Sequence, residues 1–209
     1  MISITIIILS LAFWVIVLNR KFFYGFSDNF KRRLNLKWDF IGPWKITDDN
    51  ILIVTGSDEG GMTKNGADWE NYTFTFKAKI NSKCIGVVVR AADLNNYYML
   101  QIGQNQIIPH RRMSYPKIKR ALGDHTLIEI EVQTGWQVYK DLSVEHNTEL
   151  NKWFKGTIIV KGQSISLYIN GELVLNIESF LQNSKGKIGF RCAGNEVGYI
   201  KEVKVRLKT

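Results

Sequence analysis

Proline and cysteine are scarce in this chain, histidine never clusters, and the first eighteen residues carry no charge. Three prolines among 209 residues exclude a Pro-rich linker, while 17 glycines leave room for many tight turns. Two cysteines, Cys84 and Cys192, exclude both a disulfide-dense scaffold and a zinc ribbon. Both lie at the ends of expected strands, so they form either one disulfide or two buried free thiols. The three histidines, His110, His125 and His146, sit apart, and none belongs to a Ser-His-Asp or Cys-His arrangement. What is present is a hydrophobic content of 45% and an aromatic content of 12%, enough for one packed domain.

The net charge of +9 is unevenly placed. Up to Trp38, six basic residues (Arg20, Lys21, Lys31, Arg32, Arg33 and Lys37) face one acid, Asp28. The rest of the chain holds 22 basic and 18 acidic side chains and is only mildly basic. A basic neck on a near-balanced body fits anionic lipid headgroups better than nucleic acid, which is not expected as a partner. Met1 to Leu18 is apolar except for Ser3, Thr5 and Ser10. As a helix it would span roughly 27 Å, close to the thickness of a bilayer's hydrocarbon core. No basic residues precede it and no small-residue cleavage site follows, which predicts a retained anchor rather than a cleaved signal. Residues 1–18 are therefore expected to be a single-pass transmembrane anchor, with membrane lipid contacted over residues 1–33. Residues 19–39 are expected to form a basic, aromatic juxtamembrane neck, lying at the headgroups or docked on the domain as an amphipathic helix. The positive-inside tendency and the use of a binding domain outside the cell point opposite ways, so the side of the membrane is left open.

From Trp44 onward the periodicity changes to two. Tyr72, Phe74 and Phe76 alternate with Thr73, Thr75 and Lys77. Strands are expected at 51–55, 72–80, 85–91, 97–102, 126–133, 156–160, 164–169, 172–177, 187–191 and 199–206. Asn170-Gly171 marks a two-residue hairpin turn. Only the neck and residues 179–183 look helical. Ten short, regularly spaced strands predict an all-β antiparallel sandwich, a jelly roll, over residues 40–209.

Several stretches resemble a known family. Trp44-Lys-Ile-Thr-Asp48, Asp68-Trp69, Gly86-Val-Val-Val-Arg90 and Tyr97-Tyr-Met-Leu-Gln101 occur in the order found in concanavalin A-like lectin/glucanase domains. The run Trp153 to Gly171 and the closing Gly186-Lys-Ile-Gly189-Phe-Arg and Tyr199-Ile-Lys-Glu-Val-Lys-Val continue the likeness. The pattern is similar to bacterial domains named as 3-keto-disaccharide hydrolases and to laminin G-like sugar-binding modules. The resemblance implies a concanavalin A-like β-sandwich, whose fold serves lectins, hydrolases and adaptors alike. Relatives that use calcium imply it as a cofactor, but Asp48-Asp49 and Asp58-Glu59 do not place it, and no other cofactor is expected.

Glu129 and Glu131 are the only catalytic candidates, because two carboxylates at i, i+2 on a strand can stand about 5–5.5 Å apart. A third acid and the aromatic context of laminarinase-type glucanases are missing, and the pair also reads as the solvated face of an ordinary strand. For ligand binding, alternation predicts Arg90, Tyr97 and Gln101 together on the concave face, with Trp69, Trp136 and the loop His110-Arg111-Arg112 as a rim. A flat ring beside fixed donors suits a sugar. The reading is a membrane-anchored, non-catalytic module for a glycan or a protein partner. An accessory subunit of a membrane protein complex and a glycoside hydrolase are the alternatives.

Overall fold

A computed structural model describes residues 25–119 and 129–208, with the side chains of 118–119 and 129–131 excepted. The proposed anchor, residues 1–18, lies outside the described residues, as does the neck up to residue 24. Among the described residues no helix is long and apolar enough to cross a membrane.

Among the described residues, fourteen antiparallel strands make up the fold. They are β1 (Phe26–Asp28), β2 (Trp38–Phe40), β3 (Lys45–Ile46), β4 (Leu52–Thr63), β5 (Tyr72–Ser82), β6 (Cys84–Asp93) and β7 (Asn96–Gly103). They continue with β8 (Gln106–Lys119), β9 (Glu129–Val138), β10 (Val144–Glu145), β11 (Trp153–Lys161), β12 (Ser164–Ile169), β13 (Glu172–Ile177) and β14 (Lys187–Leu207). Hydrogen bonds connect them in the order β10-β8-β7-β6-β14-β5-β11-β12-β13, with β9 added on β8 and β4 on β14. The register of β14 breaks between Cys192 and Val197. Before the break it pairs with β6, and after it with β5. A bulged strand of this kind can turn from one layer into the other.

The two layers meet in one apolar cluster. Ile85, Val87 and Val89 of β6 and Tyr98, Leu100 and Ile102 of β7 face Phe74 and Phe76 of β5, Ile158 of β11 and Leu167 of β12. Period-two alternation is what delivers every second residue to this cluster. Gly156 lets Phe76 lie flat on β11, since a Cβ there would stand 2.2 Å from its ring. Asn170 and Gly171 both take positive φ, 53° and 93°, as the expected type I′ hairpin between β12 and β13 requires.

Two expectations are corrected. The described part of the neck, 25–39, is built into the sandwich as β1, a 3-10 turn (Leu34–Leu36) and the start of β2. Its aromatic residues Phe26, Phe30 and Trp38 are buried, and β1 pairs with Val203–Val205 of β14. Residues 179–183 are not helical, because Ser179 takes a φ of 56° and the amides of Phe180 and Leu181 both donate to Gln163 O. A strand without an expectation, β8, runs through Pro109 and Pro116; beyond Arg112 it pairs with β9 alone.

Asp28 fixes the N-terminal segment. It accepts from the Phe30 amide at 3.0 Å and from Trp38 Nε1 at 2.9 Å, with Lys37 Nζ at 3.5 Å. Asp28→Ala leaves two buried donors unanswered and is expected to cost about 2 kcal/mol in urea unfolding. An unchanged midpoint would show that this segment does not stabilise the domain.

Candidate functional site: an arginine-framed tryptophan on the outer face

The face of β6 and β7 that turns away from the main core carries a second, smaller cluster: Met62, Val88, Ala91, Tyr97 and Met99. Register places the site around it. Tyr97 of β7 pairs with Arg112 of β8, which pairs with Trp136 of β9. In the neighbouring row Val88, Met99, His110 and Val138 stand side by side, and in another Arg191 of β14, Gly86 and Gln101. Five strands thus present one polar and aromatic surface. Gly86 keeps its floor low, since a Cβ there would meet Met99 Sδ at 2.3 Å.

Trp136 is its centre and remains 37% exposed. Arg191 lies over the indole with its guanidinium carbon 4.9 Å from the ring centre, and Arg112 lies at 5.5 Å. Tyr97 and His110 meet the ring edge-on, at 5.8 and 5.9 Å. Both guanidiniums are held by the β4 turn. Arg112 Nη1 donates to Asp58 O at 2.5 Å and Nη2 to Asn95 Oδ1 at 3.2 Å, with Glu59 Oε1 at 3.7 Å. Arg191 donates to Asp58 O and Asp58 Oδ1, at 3.3 and 3.2 Å, and pairs with Glu196 Oε2 at 3.6 Å. Glu196 is itself held by the Ala193 amide at 2.7 Å. Arg112 Nε is buried without a hydrogen-bond partner among the described residues.

Burial shapes the titration of the site. Desolvation pushes the Tyr97 hydroxyl up to about 12, partly offset by Arg112 and Arg191, and its proton goes to Glu59 O at 3.1 Å. The Cys84 thiol is also pushed up to about 12 by burial, so it stays protonated, with Gln101 Nε2 2.9 Å from its sulfur. Burial lowers the His110 value and Arg191 lowers it further, while the hydrogen bond to Ile108 O and the Glu196 carboxylate offset part of the shift. His110 Nδ1 lies 3.0 Å from Ile108 O, a carbonyl that can only accept, so Nδ1 carries the proton and Nε2 the lone pair. A pocket of about 300 Å³ adjoins this surface, lined in part by Gln101, Ile108, Cys84 and Glu196.

Tyr97, Gln101, Trp136, His110 and Arg112 are brought together on this face. Arg90 is not. It takes a left-handed φ of 52° at an irregularity in the β6–β7 ladder, which turns it out of the alternation. It is fully buried, with Nη2 on Gly162 O at 2.9 Å and its guanidinium 6.0 Å from the centre of the Tyr72 ring. Trp69 is buried between Phe26 and Tyr72. Arg111 points to the opposite face from its neighbours, over Tyr98, and bonds Gln182. Glu131 and Glu129 stand opposite Lys117 and Lys119 in the β8–β9 ladder, and Glu131 is about 16 Å along the strand from Trp136. Cys84 and Cys192 are buried free thiols, with Cys192 Sγ 3.7 Å from Cys84 O. Among the described residues no three His, Cys, Asp or Glu side chains converge, and Asp58 is taken by Arg191. Arg191 and Glu196 carried no expectation, and Glu59 had been weighed only for calcium. Alternation in the run Ile188-Gly189-Phe190-Arg191 was the signal for the first, since Ile188 and Phe190 are core.

The profile of the 3-keto-alpha-glucoside-1,2-lyase-like domain matches residues 27–206. The chain belongs to this family. The start of the match at residue 27 agrees with the place where β1 joins the sandwich. No protein with a curated description matches this chain in sequence. Among solved structures it is similar to the carbohydrate-binding module CBM66 from Bacillus subtilis, with a TM-score of 0.60, 13% identity, and coverage of 81% of this chain and 95% of that one. It is also similar to the GH43 protein BlXynB from Bacillus licheniformis, with a TM-score of 0.54 and 14% identity, over 87% of this chain and 39% of that one. At these identities the likeness shows a shared all-β, jelly-roll fold of the lectin and glucanase type.

Because His110 is held neutral by burial, unfolding exposes a group that takes up a proton more readily. The unfolded chain then binds more protons as pH falls through the ordinary histidine range, so stability falls on acidification. Thermal melts from pH 7 to pH 5 are expected to show this loss, and His110→Gln to flatten the slope. An unchanged slope in the variant would locate the proton uptake elsewhere.

Proposed function

We propose that this domain is a non-catalytic, membrane-tethered module that binds a glycan on the Trp136 face. The observation that carries the reading is the exposed part of Trp136, framed by fixed guanidiniums, a neutral imidazole and carboxylates. An indole offers flat apolar area to the C–H face of a pyranose, and the groups around it hydrogen-bond hydroxyls. The side chains are already anchored by the Asp58–Glu59 turn and by Glu196, so little ordering is left to be done on binding. The likeness in fold to a carbohydrate-binding module supports the same reading. The apolar run Met1–Leu18, long enough as a helix to cross the hydrocarbon core of a bilayer, supports the tether.

The family name keeps a catalytic alternative alive, and His110 is the residue that favours it. A 1,2-lyase acting on a 3-keto-glucoside needs a base for the C2 proton, made acidic by the C3 carbonyl, while the C1–O bond breaks. A neutral imidazole with a free Nε2 can take that proton. Glu129 and Glu131, distant from Trp136 along β9, do not serve this site.

A glycan array probed with the full chain in nanodiscs tests the proposal, with Trp136→Ala and Arg90→Ala beside it. Trp136→Ala is expected to weaken the best ligand by about tenfold or more. Arg90→Ala is expected to lower stability and leave the affinity of the folded protein unchanged. Silence across the array from a folded chain that co-purifies with other membrane proteins would replace the glycan reading with that of an accessory subunit. Turnover of a 3-keto-α-glucoside that disappears in His110→Gln would replace it with the lyase.

A further inference from the structure

The outer face of the second layer, remote from Trp136, has no part in that reading. There Lys155 of β11, Lys77 of β5 and Lys201 of β14 stand directly opposite one another in a single row. Like charges in register across strands repel. In the next row Trp153, Lys79 and Tyr199 alternate, and beyond the bulge of β14 Lys204 and Arg206 continue the same face. Against the five lysines the β5, β11 and β14 part of this face sets one carboxylate, Glu202, 2.8 Å from Lys77 Nζ. Lys155 and Lys204 are exposed and have no carboxylate partner among the described residues. The aromatic rings are half-buried under the lysines: Lys201 Nζ lies 4.2 Å from the Trp153 ring centre, and Lys79 Nζ 4.6 Å from that of Tyr199. Five lysines are thus gathered on one sheet face about 15–20 Å across.

We infer that this face docks on an anionic bilayer surface. The place where the chain enters the domain selects lipid over a dissolved polyanion. Gly25 donates to Val205 O at 3.0 Å, so the chain enters beside the strand that carries Lys201, Lys204 and Arg206. Six residues separate Gly25 from the apolar run ending at Leu18, a reach of about 20 Å when extended. A tether of that length keeps the lysine rows close to the headgroups, where their attraction acts within a Debye length of about 10 Å. Trp153 and Tyr199 are residue types that settle at the membrane–water interface. The inference rests on the tether, but not on glycan binding at Trp136.

The test uses the full chain in nanodiscs of phosphatidylcholine alone and of phosphatidylcholine with about one-third phosphatidylglycerol. Brief labelling with an amine-reactive reagent, read by mass spectrometry, compares Lys155, Lys201 and Lys204 with Lys64, which lies outside this face. The three lysines are expected to label about threefold or more slowly on anionic discs, and the difference to vanish at about 0.5 M salt. Lys155→Gln with Lys204→Gln is expected to restore labelling of Lys201, with the thermal melt unchanged. Equal labelling on both lipids overturns the inference, as does equal protection by dissolved heparin on neutral discs. Retention on the discs through an alkaline wash reads the tether separately. If the chain is stripped, the labelling is repeated with vesicles of both compositions, and absence of protection there overturns the docking face as well.

Discussion

One strand has to serve both layers, and the rest of the structure follows from how it does so. β14 hydrogen-bonds to β6 and β4 with its first five residues and to β4, β5 and β1 with its last eleven. The register break at Cys192–Val197 lets one continuous backbone change layers without leaving unpaired groups along a cut edge. It also sets the polarity of the molecule. Arg191, just before the break, belongs to the Trp136 surface, while Lys201 and Lys204, after it, belong to the lysine face. Both candidate surfaces are therefore held in a fixed relation by a single element.

The two surfaces handle charge differently. Around Trp136 each guanidinium is nearly buried and is matched by a carbonyl and a carboxylate from the Asp58–Glu59 turn or Glu196. Burial makes such matching obligatory, since an unanswered charge there would cost several kcal/mol. The lysine face is exposed, so like charges in register are tolerated there, and Lys155 and Lys204 have no carboxylate partner among the described residues. The first arrangement is rigid and short-ranged, as recognition of hydroxyl groups requires. The second is loose and acts at a distance set by salt.

The sequence made much of this architecture legible because burial on one side of a strand writes itself as alternation. Nine of the strands and the Asn170-Gly171 turn could be read that way, as could the shared face of Tyr97 and Gln101, with Trp136 expected only at its rim. Two local features hid the rest. At Arg90 a left-handed residue shifts the alternation by one position, so extrapolating from Val87 and Val89 put a core arginine among the ligand residues. In β8 the prolines at 109 and 116 argue against a strand on composition, yet pairing on both sides up to Arg112 and on one side thereafter accommodates them. The N-terminal segment misled for a related reason. Its aromatic-basic pattern reads as interfacial until Asp28 and β14 give Phe26, Phe30 and Trp38 somewhere to be buried.

Trp136 is carried on β9, which among the described residues hydrogen-bonds to β8 alone. β8 itself loses its other neighbour after Arg112, so the two strands leave the sheet as a ribbon whose root lies next to the indole. With a single strand neighbour behind it, the indole owes its place to the rings and guanidiniums around it, Tyr97, His110, Arg112 and Arg191, as much as to the ladder.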